Sequence, residues 1–252
     1  MAQSSLQRIL GTLGKRYGAP AAPAAGRDPL ALILWEMVAY LADDDTRAKA
    51  FRALRDQVGL APRAILDAPL PVLTAICRAG GPVQPGERAK RIKLIAALVL
   101  DEFDGNLSQV LGWDYAKAVK ALKKFPSVGE PGADRILMLC GSHAVLGLDS
   151  NALRVLYRIG YGEETKNYTK TYRSSRDAAM AELPKKAGAL AAASLLLREH
   201  GKETCKYTVP KCEECPVTAA CAWFNARRAP KSSSDRSPRT RSRAPSSRKA
   251  PE

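Results

Sequence analysis

Residues 205 to 221 read Cys205-Lys-Tyr-Thr-Val-Pro-Lys-Cys212-Glu-Glu-Cys215-Pro-Val-Thr-Ala-Ala-Cys221, which puts four of the six cysteines in one short run with gaps of six, two and five residues. Thiolates this close in sequence can turn onto one soft metal centre without help from distant segments, so the run reads as a metal loop. Its spacing alone admits an iron–sulfur cluster or a mononuclear zinc site. Disulfides explain it poorly: no secretory signal is apparent, and Cys77 and Cys140 sit in apolar segments where a cysteine behaves as a small hydrophobe.

Upstream of this loop, apolar residues recur at helical spacing through residues 6–13, 30–41, 46–58, 61–67, 71–79, 86–103, 113–124, 132–139, 151–159, 173–183 and 187–200, which predicts a helix over each. The breakers Pro69, Gly80-Gly81-Pro82, Pro85, Gly105, Pro126, Gly129 and Gly147 fall between them, and strand signals are scarce. The fold class is therefore all-α, with short helices and tight joints that point to helical bundles, not a coiled coil or a solenoid.

The formal charge of +15 and isoelectric point of about 9.7 call for a polyanionic partner, with nucleic acid ahead of an acidic membrane surface. Residues 227–252 hold nine Lys/Arg against two Asp/Glu, a net +7 that leaves +8 for residues 1–226. The part expected to fold is basic in its own right. The Arg-, Ser- and Pro-rich tail has too little apolar surface to fold and is expected to be disordered. An apolar content of 46% over 252 residues is ample for a core, and no apolar run approaches the ~20 residues that span a bilayer. An intracellular monomer is expected, since the thiolates must stay reduced.

The stretch Leu122-Lys-Lys-Phe125-Pro126-Ser127-Val128-Gly129-Glu130-Pro131-Gly132-Ala133-Asp134-Arg135-Ile136-Leu137 reads as a helix, a tight turn and a second helix opening near Pro131. Backbone N–H groups around Ser127, Val128, Gly129 and Gly132, with the helix dipole, suit a DNA phosphate and ignore base sequence. Lys123, Lys124 and Arg135 add positive charge. The same residues also describe an ordinary αα-hairpin with a solvated basic face.

This hairpin resembles the helix-hairpin-helix of the endonuclease III superfamily of DNA glycosylases, and the cysteine run is similar to that family's 4Fe-4S motif in every spacing. Leu197-Arg-Glu-His200-Gly201-Lys202 likewise looks like the family's approach to the first ligand. The resemblance covers residues 28 to 224 and implies a 4Fe-4S cluster on Cys205, Cys212, Cys215 and Cys221, with zinc as the lesser alternative. It also implies double-stranded DNA as partner, a DNA-associated location, and contacts from Lys206 and Lys211 in the first cysteine gap. The implied domains are an N-terminal helix and linker (1–27) packing on the cluster domain, a six-helix barrel-like domain (28–140), a cluster domain completing the cleft (141–226), and the tail.

Gly147-Leu148-Asp149-Ser150-Asn151 precedes an amphipathic run, and a residue such as Asp149 there is what a helix N-cap requires. Glu36 lies inside the apolar segment 31–41, where a charge needs a partner or a raised pKa. Resemblance adds a catalytic reading to both. Asp149 matches the superfamily's catalytic aspartate and Glu36 the catalytic glutamate of its adenine-glycosylase branch. Leu148-Asp149-x-Asn151-x-x-Arg154-Val155-Leu156 is also closer to that branch, which places Asn151 at the DNA. By this reading Asp149 stabilises the oxocarbenium-like sugar, and Glu36, holding its proton near neutral pH, acts as the acid. Tyr40 and Leu41 fall where the family places residues that probe the duplex.

Two departures matter. Pro131 occupies the position where bifunctional members carry a nucleophilic lysine, which implies a monofunctional glycosylase. Ser127 replaces the first glycine of the hairpin, which questions the turn geometry. A non-catalytic damage-recognition homologue and a glycosylase with weak lyase activity are the alternatives. The acidic run Asp43-Asp44-Asp45 is expected to cap the next helix.

Overall fold

A helix that is apolar on every side belongs inside a protein, and Pro29–Val38 is such a helix: every residue in it but Glu36 is buried. In the computed structural model, which describes residues 5–228, all regular structure is helical. The α-helices are α1 (Ser5–Tyr17), α2 (Pro29–Val38), α3 (Asp44–Gln57), α4 (Pro62–Asp67), α5 (Leu70–Ala79) and α6 (Pro85–Phe103). They continue as α7 (Tyr115–Leu122), α8 (Glu130–Leu139), α9 (Ser150–Arg158), α10 (Tyr168–Met180), α11 (Ala187–Glu203) and α12 (Ala222–Arg228). No helix among the described residues is long and apolar enough to cross a membrane.

The starts of these helices are set locally. Asp28, Asp43, Asp114, Asp149 and Asn167 each accept a hydrogen bond from the backbone N–H three residues on, the geometry of an N-cap. Asp43 caps α3, as the acidic run predicted. The Asn167 cap starts α10 at Tyr168, five residues before the expected position 173. At the other end, α2 stops at Val38, short of the expected 41, because Ala39 is extended and Arg47 Nη1 takes the freed carbonyls of Trp35 and Ala39 at 3.1 and 3.2 Å. The 3₁₀ helix Leu107–Gly112 and α12 were not expected. Helix α12 includes Arg227 and Arg228, which the sequence reading assigned to the disordered tail; their guanidinium groups lie over Trp223 and Phe224 at 4.5 and 5.4 Å. The rest of that tail lies outside the described residues.

Helix α2 packs on α3, α6 and α8, while α4 and α5 pack on α6. Helix α8 also touches α7 and α11, so the second helix of the hairpin joins the two groups of helices. Helix α9 lies along α11, α10 packs on α9, and α1 packs on α11. Tyr17 Oη meets His200 Nδ1 at 2.9 Å and Thr204 Oγ1 at 2.8 Å, fastening the start of the chain to the helix that leads into the cysteines.

Two glycines set the approach of α8, α9 and α11. A Cβ on Gly147 would lie 2.3 Å from Arg135 N, and one on Gly201 would lie 2.7 Å from Asn151 O. Glycine at these positions lets the Asp149 loop rest on α8 and α9 rest on α11.

Candidate active site and nucleic-acid interface

Glu36 and Asp149 line one open cavity of about 560 Å³, together with Tyr40, Leu41, Asn151 and Arg198. Asp149 reaches it from the N-cap of α9, where its Oδ1 accepts from Ala152 N at 2.8 Å. Its Oδ2 pairs with Arg198 Nε at 3.0 Å. The carboxylate is thus a helix cap and a cavity wall at once, and its two oxygens divide the tasks. Ser194 Oγ donates to Gly147 O at 2.5 Å and holds the loop from α11.

Glu36 is the exposed position of the buried α2, with 49% of its side chain open. Its Oε1 accepts from Arg135 Nη1 at 3.1 Å and its Oε2 from Arg47 Nη1 at 3.2 Å. Desolvation pushes the carboxyl up, but the charges and hydrogen bonds of Arg135 and Arg47 more than offset it and hold it below the usual carboxylate range. The expectation that Glu36 keeps its proton near neutral pH is therefore corrected: two guanidinium groups outweigh desolvation, and the residue is an anion.

Asp44, treated in the sequence only as part of a cap, closes the other side of the cavity. It accepts from Arg198 Nη1 and Nη2 at 2.9 and 2.5 Å and from Lys202 Nζ at 2.8 Å. The Arg198 hydrogen bond, against desolvation, drives its carboxyl far below the usual range.

Tyr40 and Leu41 stand at the cavity mouth, 54% and 81% exposed. Leu41 also has φ 52, a left-handed conformation costly for a branched side chain. Its support is Arg88, which is buried and donates to Val38 O, Cys77 O, Gly81 O and Val83 O at 2.5–2.9 Å, clamping the segment after α2 to the one before α6. Gln84, with φ 45, stands on that second segment.

The hairpin turns through Ser127, whose φ of 65 is the glycine-like conformation. The serine keeps the turn that a glycine would make, at a cost of about 1 kcal/mol. Ser127, Val128 and Gly132 line a second cavity of about 550 Å³ that shares Glu36, Tyr40 and Arg135 with the first. At the start of α8, Glu130 is held by Arg173 and Arg176 at 2.6 and 3.0 Å, which neutralises an acid beside the N–H groups of the turn. Lys123 is exposed. Lys124 is paired with Glu102. Asn151 Oδ1 accepts from Nη2 of the buried Arg154 at 2.8 Å.

Cys205, Cys212, Cys215 and Cys221 all line one small, largely apolar cavity. Two arginines of α9 strap the loop to the helix that Asp149 caps. Arg154 donates to Cys205 O and Gly201 O at 2.9 and 2.8 Å, and Arg158 to Lys206 O and Tyr207 O at 2.9 and 3.1 Å. Arg158 Nη1 also lies 3.4 Å from Cys205 Sγ, and His200 Nε2 lies 3.7 Å from Cys215 Sγ. Among the described residues no three of His, Cys, Asp and Glu are drawn together closely enough to hold one metal ion. Four thiols lining one largely apolar cavity are the donor set that a soft metal centre takes. Lys206 and Lys211 are exposed on this loop.

No protein-family model matches the chain. The endonuclease III of Sulfolobus acidocaldarius is 27% identical over 205 residues, covering 79% of this chain and 83% of that protein. A structure of an endonuclease III trapped as a covalent intermediate with DNA aligns with a TM-score of 0.71 at 18% identity, covering 90% of this chain and 99% of that one. The chain is similar to endonuclease III over most of its length and shares the fold of that DNA-bound structure. A thermostable thymine-DNA glycosylase has the same fold, with a TM-score of 0.69 at 20% identity over 88% of this chain and 95% of that one.

Within this fold, the residues that sequence reading missed are Asp44, Arg47, Arg88 and Arg198. Local signals for them were weak, since a lone arginine in an amphipathic helix reads as solvated. Arg88 alone left a trace: it is a charge at a core-facing position of α6.

Proposed function

We propose that the chain is a DNA glycosylase that hydrolyses the N-glycosidic bond of a damaged or mismatched base and does not cleave the strand. What carries the reading is that Glu36 and Asp149 share one cavity beside the hairpin, while the lyase position holds Pro131. The relatives named above, an endonuclease III and a thymine-DNA glycosylase, support the same class of chemistry.

Bond cleavage places positive charge on the sugar and negative charge on the departing base. Asp149, fixed by the α9 cap and Arg198, faces the sugar and stabilises its oxocarbenium character. Glu36 is ionised, so it takes a proton from water and aims that water at C1′. Arg135, which hydrogen-bonds Glu36, donates to the leaving base as its charge develops. Tyr40 and Leu41 fill the gap left by the extruded nucleotide.

The remaining assignments follow the same reading. Lys123, Lys124, Arg135, Asn151, Lys206, Lys211 and the turn at Ser127, Val128, Gly129 and Gly132 hold double-stranded DNA, mainly by phosphate contacts. Cys205, Cys212, Cys215 and Cys221 hold a 4Fe-4S cluster, whose chemistry here is to fix the loop that presents the two lysines. The protein acts as a monomer in the cell, with residues 28–140 and 141–226 as the two sides of the cleft. Purified protein with an absorption band near about 400 nm, iron and sulfide supports the cluster; zinc in their place overturns it.

The experiment that tests the activity is base release from duplexes carrying uracil, mismatches, oxidised bases and alkylated bases. Release from at least one, lost in Asp149→Asn, is expected. Tight binding without release from any would leave a non-catalytic damage-recognition protein.

A further inference from the structure

A third open groove, of about 460 Å³, has no part in the mechanism above. Tyr157, Tyr168 and Tyr207 line it, with Lys166 and the buried Leu153 and Arg154. Ser150, next to Asp149, lines both this groove and the cavity that holds the two carboxylates. The two sites meet at this residue.

Tyr168 is 51% and Tyr207 76% exposed, so neither ring is accounted for by the core. Both are held by ordered backbone. Tyr168 opens α10 behind the Asn167 cap, and the Tyr207 carbonyl accepts from Arg158 Nη2. Burial, followed by the charge of Asp149, pushes the Tyr168 phenol up, so the ring stands within electrostatic reach of the active site. Glu164 and Lys166 stand on the groove wall and Lys206 adjoins Tyr207, while the Arg154 guanidinium is taken by Cys205 O, Gly201 O and Asn151 Oδ1.

Aromatic rings beside cations recognise unpaired bases, because each base has a face to stack and a phosphate to neutralise. Paired bases in a duplex present no such face. We propose that this groove binds unpaired nucleotides of the strand running on from the active site, so that the protein prefers DNA in which its target borders a single-stranded gap. The proposal rests on the DNA-binding part of the reading above and not on its chemistry.

The test is fluorescence anisotropy with labelled, undamaged DNA, comparing a full duplex with the same duplex carrying a gap of about six nucleotides, within the site size of such grooves. The full-length protein should bind the gapped DNA about tenfold more tightly. The double variant Tyr168→Ala/Tyr207→Ala should lose that preference and keep its duplex affinity, while Tyr168→Phe/Tyr207→Phe should keep both. Equal affinity of the unaltered protein for the two DNAs, or a preference that survives the alanine variant, overturns the proposal. A failed glycosylase reading would look different: no base release, with the gap preference intact.

Discussion

Arg198 Nε lies 3.0 Å from Asp149 Oδ2, and the same guanidinium grips Asp44 through both terminal nitrogens. Asp149 is thereby held from α11 by a charge and from α9 by a backbone N–H, leaving little rotational freedom to the carboxylate proposed to face a developing cation. Rigid placement of this kind is what electrostatic stabilisation requires.

Capping and charge can be separated at this residue. Asparagine is as good an N-cap as aspartate, so Asp149→Asn should keep α9 intact and duplex affinity unchanged. Single-turnover base release should fall about 10²–10³-fold, the loss seen when a preorganised electrostatic contact is removed. An unchanged release rate would take Asp149 out of the mechanism.

Asp44 gives a pH signature. Its pKa is depressed in the fold, so the stability it contributes is present above its ordinary value near about 4 and is lost as pH falls towards the lower folded value. Asp44→Asn should therefore be less stable than the unaltered protein at pH 7, by about 1 kcal/mol for a partly exposed pair. In thermal melts the difference should shrink as the pH drops below about 4. A difference that grows in acid would contradict the assigned ion pair.

Ser127 carries a backbone conformation that suits glycine. Relief of the left-handed strain, offset in part by the greater freedom of glycine in the unfolded chain, predicts that Ser127→Gly stabilises the protein by up to about 1 kcal/mol. Denaturant unfolding measures this. DNA affinity should not change, because the turn already has the glycine geometry.

Pro131 lies in the first turn of α8, where a missing N–H costs no intrahelical bond. A lysine there supplies an amine beside the cavity. Pro131→Lys should gain a complex with abasic or substrate DNA that borohydride traps covalently, and the unaltered protein should show none. Trapping of the unaltered protein would mean that another amine performs the lyase step.

The amino-acid order alone determined most of what neighbouring residues decide. Helical periodicity, the caps at Asp43 and Asp149, the turn at residues 126–129 and the four-cysteine loop are all written within a few positions, because the hydrogen bonds and hydrophobic faces involved are local. Where the helices begin and end was less legible. α2 ends at Val38 because Arg47 takes its carbonyls, and α10 starts at Tyr168 because Asn167 outcompetes a weak periodic signal.

Only the tertiary structure decided the charge states and the company of the catalytic candidates. One partner of Glu36, Arg135, lies 99 positions away, and Asp44 meets Arg198 across 154. Periodicity can place Glu36 on an apolar helix and so suggest a proton. Whether desolvation or a cation wins depends on which side chains the packing of α2, α3, α8 and α11 brings within a few ångströms, and Coulomb energy at that distance reverses the sign of the answer.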